Sequence, residues 1–452
     1  MRNSFCRVPV PLSSSRADLR IAVLADSDTR WKWGALTARR LAPDAPEPAG
    51  YVLRGRATPT ARQLGEAGVA ADRGPVEVTC AEFLAELGRQ HYDVVVLALV
   101  GGAVQAVLHG VRALWPGPAA AARPVLVTGY VGVVYEKLAD GLLLRHGADL
   151  VLANSRHDAA RFRAVYEGAG ADPEAVVETA LPFLDGAAYE SAGDRARRVV
   201  FAVQPSVPES RADRAYLLER AARHARLHPG REVLVKLRSR PGEHTTHLEE
   251  HPYQRLAERL PGGLPPNCRL VYGNMGEVLD AADLLVTVSS TAALESLHRG
   301  IPTAVLTDLG IREALGNHHF LGSGCLASWD QLDEGLLPAG DPAWTAAQGV
   351  APGTADPYAA ARDRVARLLG PDRLEPVAPY YTLATAPGYL PGILARHHLA
   401  PDGTPLPGAV RRDAGASAAR RWLRAHLREA ARGTYRHGVQ RVAPLIRRLG
   451  EL

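Results

Sequence analysis

Short apolar segments alternate with helical patterns along most of the chain, and this alternation restricts the fold more than any other feature. The first series of strand-like segments runs RIAVLA, YVLRG, VEVTC, DVVVLAL, PVLVTGY and ADLVLA, with amphipathic stretches such as AEFLAELGRQ between them. A second series follows with RVVFAVQP, REVLVKLR, CRLVYG, ADLLVTVSS and TAVLTD. Strands separated by helices indicate parallel sheets covered on both faces. We therefore predict an α/β fold with two Rossmann-like doubly wound domains facing a central cleft.

The length of 452 residues also favours two domains, because one ordinary core does not grow to that size. We expect an N-terminal extension over 1–19 and a first domain over 20–190. A second domain is expected over 196–370. A returning segment rich in Pro, Gly and Tyr covers 371–410, and a basic helical tail covers 411–452.

Bulk composition is that of a soluble globular protein, with 46% hydrophobic and 22% charged residues. Four cysteines lie far apart without a CxxC pair, which argues against a disulfide framework or a zinc cluster. The N-terminus lacks the apolar core of a signal peptide, and the longest uncharged apolar run, 94–108, is too short to span a bilayer. These features predict a cytoplasmic protein.

The C-terminal tail carries the basic charge of the chain. From Arg411 onward there are eleven arginines against three acidic residues, so the rest of the chain sums to −3. Because the basicity does not belong to the body, we expect no nucleic-acid partner. Over 417–449 the apolar and basic residues alternate as in an amphipathic helix lying on an anionic membrane. Docking of this helix on the protein's own domains is the alternative.

The stretch TVSSTAALESLHRGIP, at 287–302, places two serines where a strand passes into a helix. We expect the strand to end near Val288 and the helix to run from about Thr291 to His298. Ser289, Ser290 and Thr291 then lie at the helix N-terminus, where unpaired N–H groups and the helix dipole favour a phosphate. The alternative is an ordinary helix cap.

The dinucleotide fingerprint is absent from the sequence, since no strand is followed by GxGxxG. The nearest match, GSGCLAS at 322–328, lacks the third glycine. A nicotinamide enzyme is therefore disfavoured.

The segment from this strand through the serine pair, Glu295, Gly300 and Pro302 resembles the nucleotide-binding part of GT-B-fold glycosyltransferases. It is most similar to bacterial polysaccharide-building types, such as polysialyl-, Kdo- and CDP-glycerol-type transferases, and to an uncharacterised bacterial glycosyltransferase family. The resemblance spans about residues 20–400. It implies a nucleotide-activated sugar as donor substrate, no cofactor, and a glycan, glycolipid or cell-envelope acceptor.

Further residues of the second domain match the donor site of these families. Lys236 and Arg238 share one face of REVLVKLR at its carboxyl end. The families often carry Lys-x-His-Pro there, and in this chain arginine replaces the histidine. Gln204 and Ser206 match the loop that approaches the donor phosphates or sugar. The predicted donor-binding residues are Gln204, Ser206, Lys236, Arg238, Ser289, Ser290, Thr291 and Glu295.

The resemblance also favours a mechanism. Retaining members of the fold usually carry two glutamates eight positions apart; here Glu295 is the second, and the first falls on Thr287. An inverting mechanism is therefore expected. No metal is expected, because helix N-termini, hydroxyls and cations can stabilise the leaving phosphate. The histidines at 244–251 lack the HExxH order of a zinc site. His318 and His319 are expected either to contact the donor or to lie in solvent or the core.

The catalytic base should face the donor from a strand end of the first domain. A polar loop, DSDTRWKWG, is expected after RIAVLA, and it supplies Asp26 and Asp28 as candidate bases. Glu136, beyond PVLVTGY, is a third candidate. Partial burial would bring such a carboxylate to a useful pKa. From the same loop, the side chains expected to bind a sugar acceptor are Trp31, Lys32 and Trp33.

Two other functions remain open from the sequence. One is a sugar-nucleotide isomerase like the non-hydrolysing 2-epimerases, which share this architecture. The other is a catalytically silent protein that binds nucleotide sugars. Fold likeness alone does not decide among the three.

Overall fold

The structure is a computed structural model, and it describes residues 19–55, 57–69, 74–133, 137–191, 193, 197–240, 243, 249–351, 356–370 and 374–410. The expected N-terminal extension, except for residue 19, and the basic tail over 411–452 lie outside the described residues.

The first domain is built on a seven-stranded sheet whose strands all run parallel. Its strands are β1 (Ile21–Ala25), β2 (Ala49–Leu53), β3 (Val76–Val78), β4 (Val94–Ala98), β5 (Val125–Gly129), β6 (Leu150–Ala153) and β7 (Val176–Glu178). Every residue of β1, β4 and β5 is buried, as a sheet covered on both faces requires. The spatial order is β3-β2-β1-β4-β5-β6-β7, so it reverses between β1 and β4.

The helices of this domain are α1 (Asp28–Leu41), α2 (Ala61–Glu66), α3 (Cys80–Leu87), α4 (Gly101–Leu114), α5 (Leu138–Leu143) and α6 (Arg156–Gly168). Four of these six helices, α1, α2, α3 and α6, begin at a serine or threonine cap. Ser27, for example, accepts a hydrogen bond from the N–H of Arg30, and Ser155 accepts one from Asp158. Short 3₁₀ turns lie at Gly117–Ala122 and Pro173–Ala175.

The second domain repeats this plan with a six-stranded parallel sheet. Its strands are β8 (Arg197–Ala202), β9 (Arg231–Lys236), β10 (Cys268–Val271), β11 (Leu284–Thr287), β12 (Thr303–Leu306) and β13 (Leu326–Ala327). The order β10-β9-β8-β11-β12-β13 reverses between β8 and β11. The prediction of two doubly wound α/β domains is confirmed.

The helices of the second domain are α7 (Arg211–Leu227), α8 (Tyr253–Ala257), α9 (Met275–Leu279), α10 (Ala292–Arg299), α11 (Trp329–Asp333) and α12 (Pro342–Ala347). Two 3₁₀ turns lie at Glu313–Leu315 and Asn317–Phe320. Around the serine pair, β11 ends one residue before the predicted end of the strand. Helix α10 begins and ends one residue later than predicted.

The chain returns to the first domain earlier than the predicted boundary at 371. Helix α13 (Ala359–Leu368) packs near β6 and β7, and the Tyr358 hydroxyl just before it donates to the Ala180 carbonyl at 2.9 Å. Helix α14 (Leu390–Arg396) then packs on α4. The returning segment therefore begins with α13.

Apolar side chains form a continuous cluster from the first sheet to the second. Trp33 of α1, Phe183, Leu294 of α10 and Tyr358 all belong to it. Separate clusters fill the opposite faces of the two sheets. Within the described ranges, no helix combines the length and apolarity that a membrane crossing requires.

Candidate active site

The carboxyl ends of the two sheets meet at the domain interface, where open parallel sheets bind their ligands. Arg238, just after β9, donates from Nη2 to Asp28 Oδ1 at 2.7 Å and also contacts the Thr29 hydroxyl. The loop after β5 approaches α10 so closely that a Cβ on Gly132 would lie 2.5 Å from Thr291 Oγ1. These contacts join the two edges directly.

A cavity of about 850 Å³ lies between the two domains along α1, and its lining includes neither Asp28 nor Arg238. This volume is within the range of roughly 300–1,000 Å³ typical of small-molecule sites. Its walls come from α1, the link between the domains, the N-terminal end of α9, α10 and the start of α13. Residues that line it include Lys32, Phe183, Asn274, Glu295, Arg299 and Arg362.

Glu295 and Lys32 face each other at this cavity from different domains. Lys32 Nζ lies 3.8 Å from Glu295 Oε2, and it also lies 5.0 Å from the centre of the Phe183 ring. Burial raises the pKa of Glu295, while Lys32, Arg299 and Lys236 oppose that rise without cancelling it. The cavity therefore holds a carboxyl group that keeps its proton to higher pH than usual.

The serine pair is mainly structural in this arrangement. Ser289 is 3% exposed, its hydroxyl donates to the Leu315 carbonyl at 2.5 Å, and its N–H donates to Gln204 Oε1 at 3.0 Å. Ser290 Oγ accepts from the N–H of Ala292, the first residue of α10, at 3.2 Å, whereas the N-cap residue Thr291 makes no side-chain cap hydrogen bond. Ser290 and Thr291 are partly exposed. Ser290 therefore binds the start of the helix without being its N-cap residue, and Ser289 fixes the strand-to-helix junction.

Gln204 and Ser206 lie in the loop after β8, which Arg214 of α7 holds in place. The Arg214 guanidinium is buried and donates from Nη1 to the Gln204 and Pro205 carbonyls at 3.0 Å each. It also pairs with Glu249 at 2.5 Å. The sequence analysis missed Arg214, because arginine is so abundant in this chain that a single one gives no signal.

Lys236 and Arg238 lie at the carboxyl end of β9, as predicted, but they differ in accessibility. Lys236 is 6% exposed, and its Nζ donates to the Leu237 carbonyl at 2.7 Å. Burial lowers the pKa of Lys236 to about 8. Arg238 is more exposed and is engaged with Asp28 across the interface. Whether either contacts a donor stays a prediction.

The two candidate bases of the first domain are both occupied. Asp26 Oδ2 accepts from the N–H of Val100 at 2.8 Å, and Oδ1 pairs with Arg30 at 2.9 Å. Burial would raise the pKa of Asp28, but the charge and hydrogen bond of Arg238 outweigh it and hold that pKa below its ordinary value. This shift is opposite to the one expected of a base. Glu136 lies outside the described residues.

The tryptophans do not lie where an acceptor could stack on them. The predicted loop DSDTRWKWG is instead the first turns of α1, which begins at Asp28. Trp31 is 2% and Trp33 0% exposed, and both belong to the core. The expected stacking on an acceptor is therefore wrong for these two rings. Lys32, between them on the helix, points to the cavity instead.

Arg145 is the main feature of the first domain's edge that sequence reasoning missed. Its buried guanidinium donates to the carbonyls of Leu99, Gly129 and Gly141 at 3.1, 3.1 and 2.7 Å. It lies 4.0 Å from the centre of the Tyr130 ring. Arg145 therefore ties the ends of β4 and β5 together beside the start of α5.

Within the described part of the chain, the side chains that could together hold a metal ion are His224, His228 and Asp333. His224 Nδ1 bonds Asp333 at 2.7 Å, and Arg231 donates to His224 Nε2 at 3.1 Å. Burial lowers the pKa of His224 to about 4. These groups form a network that fastens α11 to α7 and carry no sign of catalysis. Most of the histidine run at 244–251 lies outside the described residues.

Of the adjacent histidines His318 and His319, His319 is half-buried, and burial lowers its pKa to about 4. Its ring lies 5.8 Å from that of Trp344. A contact of His319 with the donor stays a prediction.

Residues 21–368 match the family described as "Putative glycosyltransferase (DUF6716)". The match covers most of the chain, and the protein belongs to this family. No curated protein matches the sequence.

Solved structures with a similar fold include three proteins in complex with UDP or a UDP-sugar. The MnaA–UDP complex of S. aureus has 14% identity and a TM-score of 0.47, covering 78% of this chain and 96% of that chain. Anabaena HepE with UDP-glucose has 14% identity, a TM-score of 0.42 and coverages of 84% and 98%. Methanocaldococcus jannaschii UDP-GlcNAc 2-epimerase with UDP-GlcNAc and UDP has 10% identity, a TM-score of 0.47 and coverages of 73% and 98%.

Proposed function

We propose that the protein is an inverting, metal-independent glycosyltransferase. It transfers a sugar from a nucleotide-activated donor to a glycan, glycolipid or cell-envelope acceptor. The observation that carries this proposal is the meeting of the carboxyl ends of two Rossmann-like sheets in a member of a glycosyltransferase family, where Arg238 of the second domain pairs with Asp28 of the first. A ligand held there touches both domains.

The donor phosphates are placed along the edge of the second domain. Lys236 and Arg238 supply positive charge there, and the N-terminus of α10 adds the partial charge of its dipole. At neutral pH Lys236 is mostly protonated, since its pKa is about 8. Arg238 reaches the phosphates only by leaving Asp28, so donor binding exchanges one anionic partner for another.

Support for inversion comes from Thr287, the position where a retaining enzyme would carry its first glutamate. The Thr287 hydroxyl is buried, donates to the Ala202 carbonyl at 2.8 Å and accepts from the N–H of Ser290 at 3.2 Å. It fastens β11 to β8 and offers no carboxylate. In an inverting reaction a base deprotonates the acceptor hydroxyl, whose oxygen attacks the sugar as the nucleotide leaves.

Three lysines in the whole chain make a clean test of the donor site. Lys236→Met should weaken nucleotide binding by about 1.5–3 kcal/mol, the worth of a charge-assisted hydrogen bond. Lys137→Met is the matched control, because Lys137 is exposed beside α5. Calorimetric titration with UDP-, GDP-, CMP- and CDP-linked sugars measures both. Equal affinity of wild type and Lys236→Met for every donor bound would contradict this donor site.

Product analysis separates the possible reactions. Acceptor-dependent release of nucleotide with an inverted anomeric product supports the proposal, and a retained configuration contradicts inversion. Interconversion of the donor without release identifies an epimerase, and binding without turnover identifies a silent protein. Turnover should survive EDTA; its loss would contradict metal independence.

A further inference from the structure

The returning segment places a group of tyrosines, here named the tyrosine patch (Tyr380, Tyr381 and Tyr389), on the surface of the first domain. The rings of Tyr380 and Tyr381 lie 5.3 Å apart, and those of Tyr381 and Tyr389 lie 5.2 Å apart, both edge to face. Tyr380 and Tyr381 are half-buried, whereas Tyr389 is 42% exposed. The tyrosine patch is therefore a connected set of rings, and Tyr389 is its most exposed member.

Asp140 of α5 joins two of these rings through their hydroxyl groups. Tyr381 Oη donates to Asp140 Oδ1 at 3.0 Å, and Tyr389 Oη lies 3.5 Å from each oxygen of the same carboxylate. Burial and the hydrogen bond to Asp140 raise the pKa of Tyr381 to about 12, so this hydroxyl keeps its proton at neutral pH. Asp140 is exposed. Because a carboxylate has about four acceptor positions, Asp140 can accept further hydrogen bonds from a ligand.

Both ends of the tyrosine patch are anchored on the first domain. The Tyr381 carbonyl accepts from Gln105 Nε2 at 3.3 Å and from His109 Nε2 at 3.0 Å, and both donors belong to α4. Leu390, directly after Tyr389, is fully buried in the core of this domain. Side chains that are already ordered lose little conformational entropy when a ligand binds, so the patch is prepared for a ligand.

The tyrosine patch adjoins the carboxyl edge of the first sheet. Gly141, directly after Asp140, is so close to Tyr130 that a Cβ on Gly141 would lie 2.2 Å from Tyr130 Oη. Tyr130 directly follows β5. The Gly141 carbonyl accepts from Arg145 Nη1 at 2.7 Å, and the same guanidinium donates to the Gly129 carbonyl at the end of β5. A chain molecule with one end at this edge can therefore lie across the patch.

We propose that the tyrosine patch and Asp140 bind the saccharide part of the acceptor, at a subsite away from the reacting hydroxyl. This inference rests on the proposed glycosyltransferase function, and it replaces the stacking that the sequence predicted for Trp31 and Trp33. The C–H face of a sugar ring packs on the Tyr389 ring, and hydroxyl groups of the sugar donate to the Asp140 carboxylate. The subsite positions the acceptor and takes no part in bond formation.

The carboxylate decides which kind of partner fits this surface. Exposed tyrosines also occur where proteins lie on membranes. Anionic headgroups would repel the Asp140 carboxylate, however, and hydrocarbon would remove its hydration without offering a donor. A saccharide packs on a ring while its hydroxyl groups donate to the carboxylate. A saccharide is therefore the partner that the chemistry of this surface favours.

The test compares full-length wild type with Tyr389→Ala, Tyr389→Phe and Tyr216→Ala. Tyr216 of the second domain is the matched control, because it is 37% exposed and its hydroxyl donates to Asp308 at 3.1 Å. Calorimetric titration without donor measures the binding of cellohexaose, chitohexaose and mannohexaose. Tyr389→Ala should weaken the tightest of these complexes about threefold to tenfold. Tyr389→Phe should bind more tightly than Tyr389→Ala, because it keeps the ring, and Tyr216→Ala should bind like wild type.

Kinetics with the bound hexasaccharide as acceptor add a second readout. Tyr389→Ala and Asp140→Asn should raise the acceptor KM while kcat and the donor KM stay near wild type, because the subsite does not touch the reacting atoms. The Tm of Tyr389→Ala should also stay near wild type. A lower Tm with an unchanged acceptor KM would show that the ring only stabilises the returning segment, and would contradict the proposal.

Equal affinity of wild type and Tyr389→Ala for every hexasaccharide, or no binding by wild type, would overturn the proposal. Loss of binding to phosphatidylglycerol vesicles in Tyr389→Ala, with saccharide binding unchanged, would also overturn it and would identify a lipid surface. Wild type that binds a hexasaccharide through Tyr389 but releases no nucleotide with any donor would instead refute the transferase function. The two failures are therefore distinguishable.

Discussion

The carboxyl edges of the two sheets are each organised by one buried arginine, and the two arginines differ in charge compensation. Arg145 donates to three backbone carbonyls and lies over the Tyr130 ring. Arg214 likewise binds backbone carbonyls and lies 4.3 Å from the centre of the Tyr253 ring, but it also pairs with Glu249. Burial lowers the pKa of Arg145, a sign that its charge is costly where it lies.

This difference separates the roles of the two edges. At the second domain, Arg214 pairs with Glu249, so Lys236 and Arg238 are the cations left for the proposed donor. At the first domain, Arg145 has no hydrogen-bonded carboxylate among the described residues, and Asp26 favours its charge only through space. In both domains a buried arginine donates to several carbonyls near a strand end, but only Arg214 also pairs with a carboxylate.

The largest expected effect comes from removing these arginines. Arg214→Met should destabilise the fold by about 3–5 kcal/mol, because it leaves the half-buried Glu249 without its charged partner and several carbonyls without a donor. Arg145→Met should cost about 3 kcal/mol, because it leaves several carbonyls without donors. Chemical denaturation with two-domain fitting, or the shift in Tm, measures both.

Removing the carboxylate near each arginine as well tests whether Arg214 and Arg145 differ in charge compensation. In Arg214→Met/Glu249→Gln we expect part of the loss to be recovered, because the unpaired carboxylate is gone. Arg145 has no hydrogen-bonded carboxylate in the described residues, so Asp26→Asn should not rescue Arg145→Met. Rescue of both, or of neither, would show that the two edges are electrostatically alike.

Substituting Ser289 or Ser290 at the second edge should have effects of intermediate size, and the two substitutions should differ in their effect on stability and on nucleotide binding. Ser289→Ala removes the hydrogen bond to Leu315 and should cost about 1–2 kcal/mol of stability, since a buried carbonyl loses its donor. Ser290→Ala should cost less, because Ser290 is partly exposed, yet it should weaken nucleotide binding more. Paired melting and titration experiments compare the two variants. Ser155→Ala, which removes the cap of α6, is the control for losing a helix cap away from the second edge.

The sequence alone does not show that the Ser289 hydroxyl is used inside the protein. Ser289 therefore illustrates what sequence reasoning cannot predict. The positions of β11, α10 and their junction follow from the spacing of apolar residues along the sequence, so both elements were predicted closely. Which hydroxyl faces the cleft depends on Leu315, some 26 residues later, and on Gln204, 85 residues earlier. No local pattern contains that information.

The first edge gives a second example. The tryptophans beside Asp28 were expected in a loop, but α1 begins at Asp28, and the two rings are buried in different places, Trp31 beside Gly50 of β2 and Trp33 beside Gly129 of β5. Strands β7 and β13 were not predicted, because three and two residues are too few to show a period.

The smallest effect is expected from Glu295, whose carboxyl group lies beside Lys32 of the other domain at the cavity. The pKa of Glu295 is raised in the folded protein, so its contribution to stability is complete below its unfolded pKa, about 4.3, and is lost as pH rises through the folded value. At any pH above its unfolded pKa, Glu295 therefore costs stability. Glu295→Gln should be more stable than wild type at neutral pH by about 0.5–1 kcal/mol, at the low end for single substitutions. The gain should vanish below pH 4.

Melting curves of both proteins between pH 4 and pH 8 measure this gain. Glu47→Gln is the control, because Glu47 also lines the cavity but is exposed and paired with Arg39, so its loss should change little at any pH. A less stable Glu295→Gln at neutral pH would mean that attraction to Lys32 exceeds the cost of burial. In that case the two domains would be held together by charge at the cavity, through Lys32 of the first and Glu295 of the second.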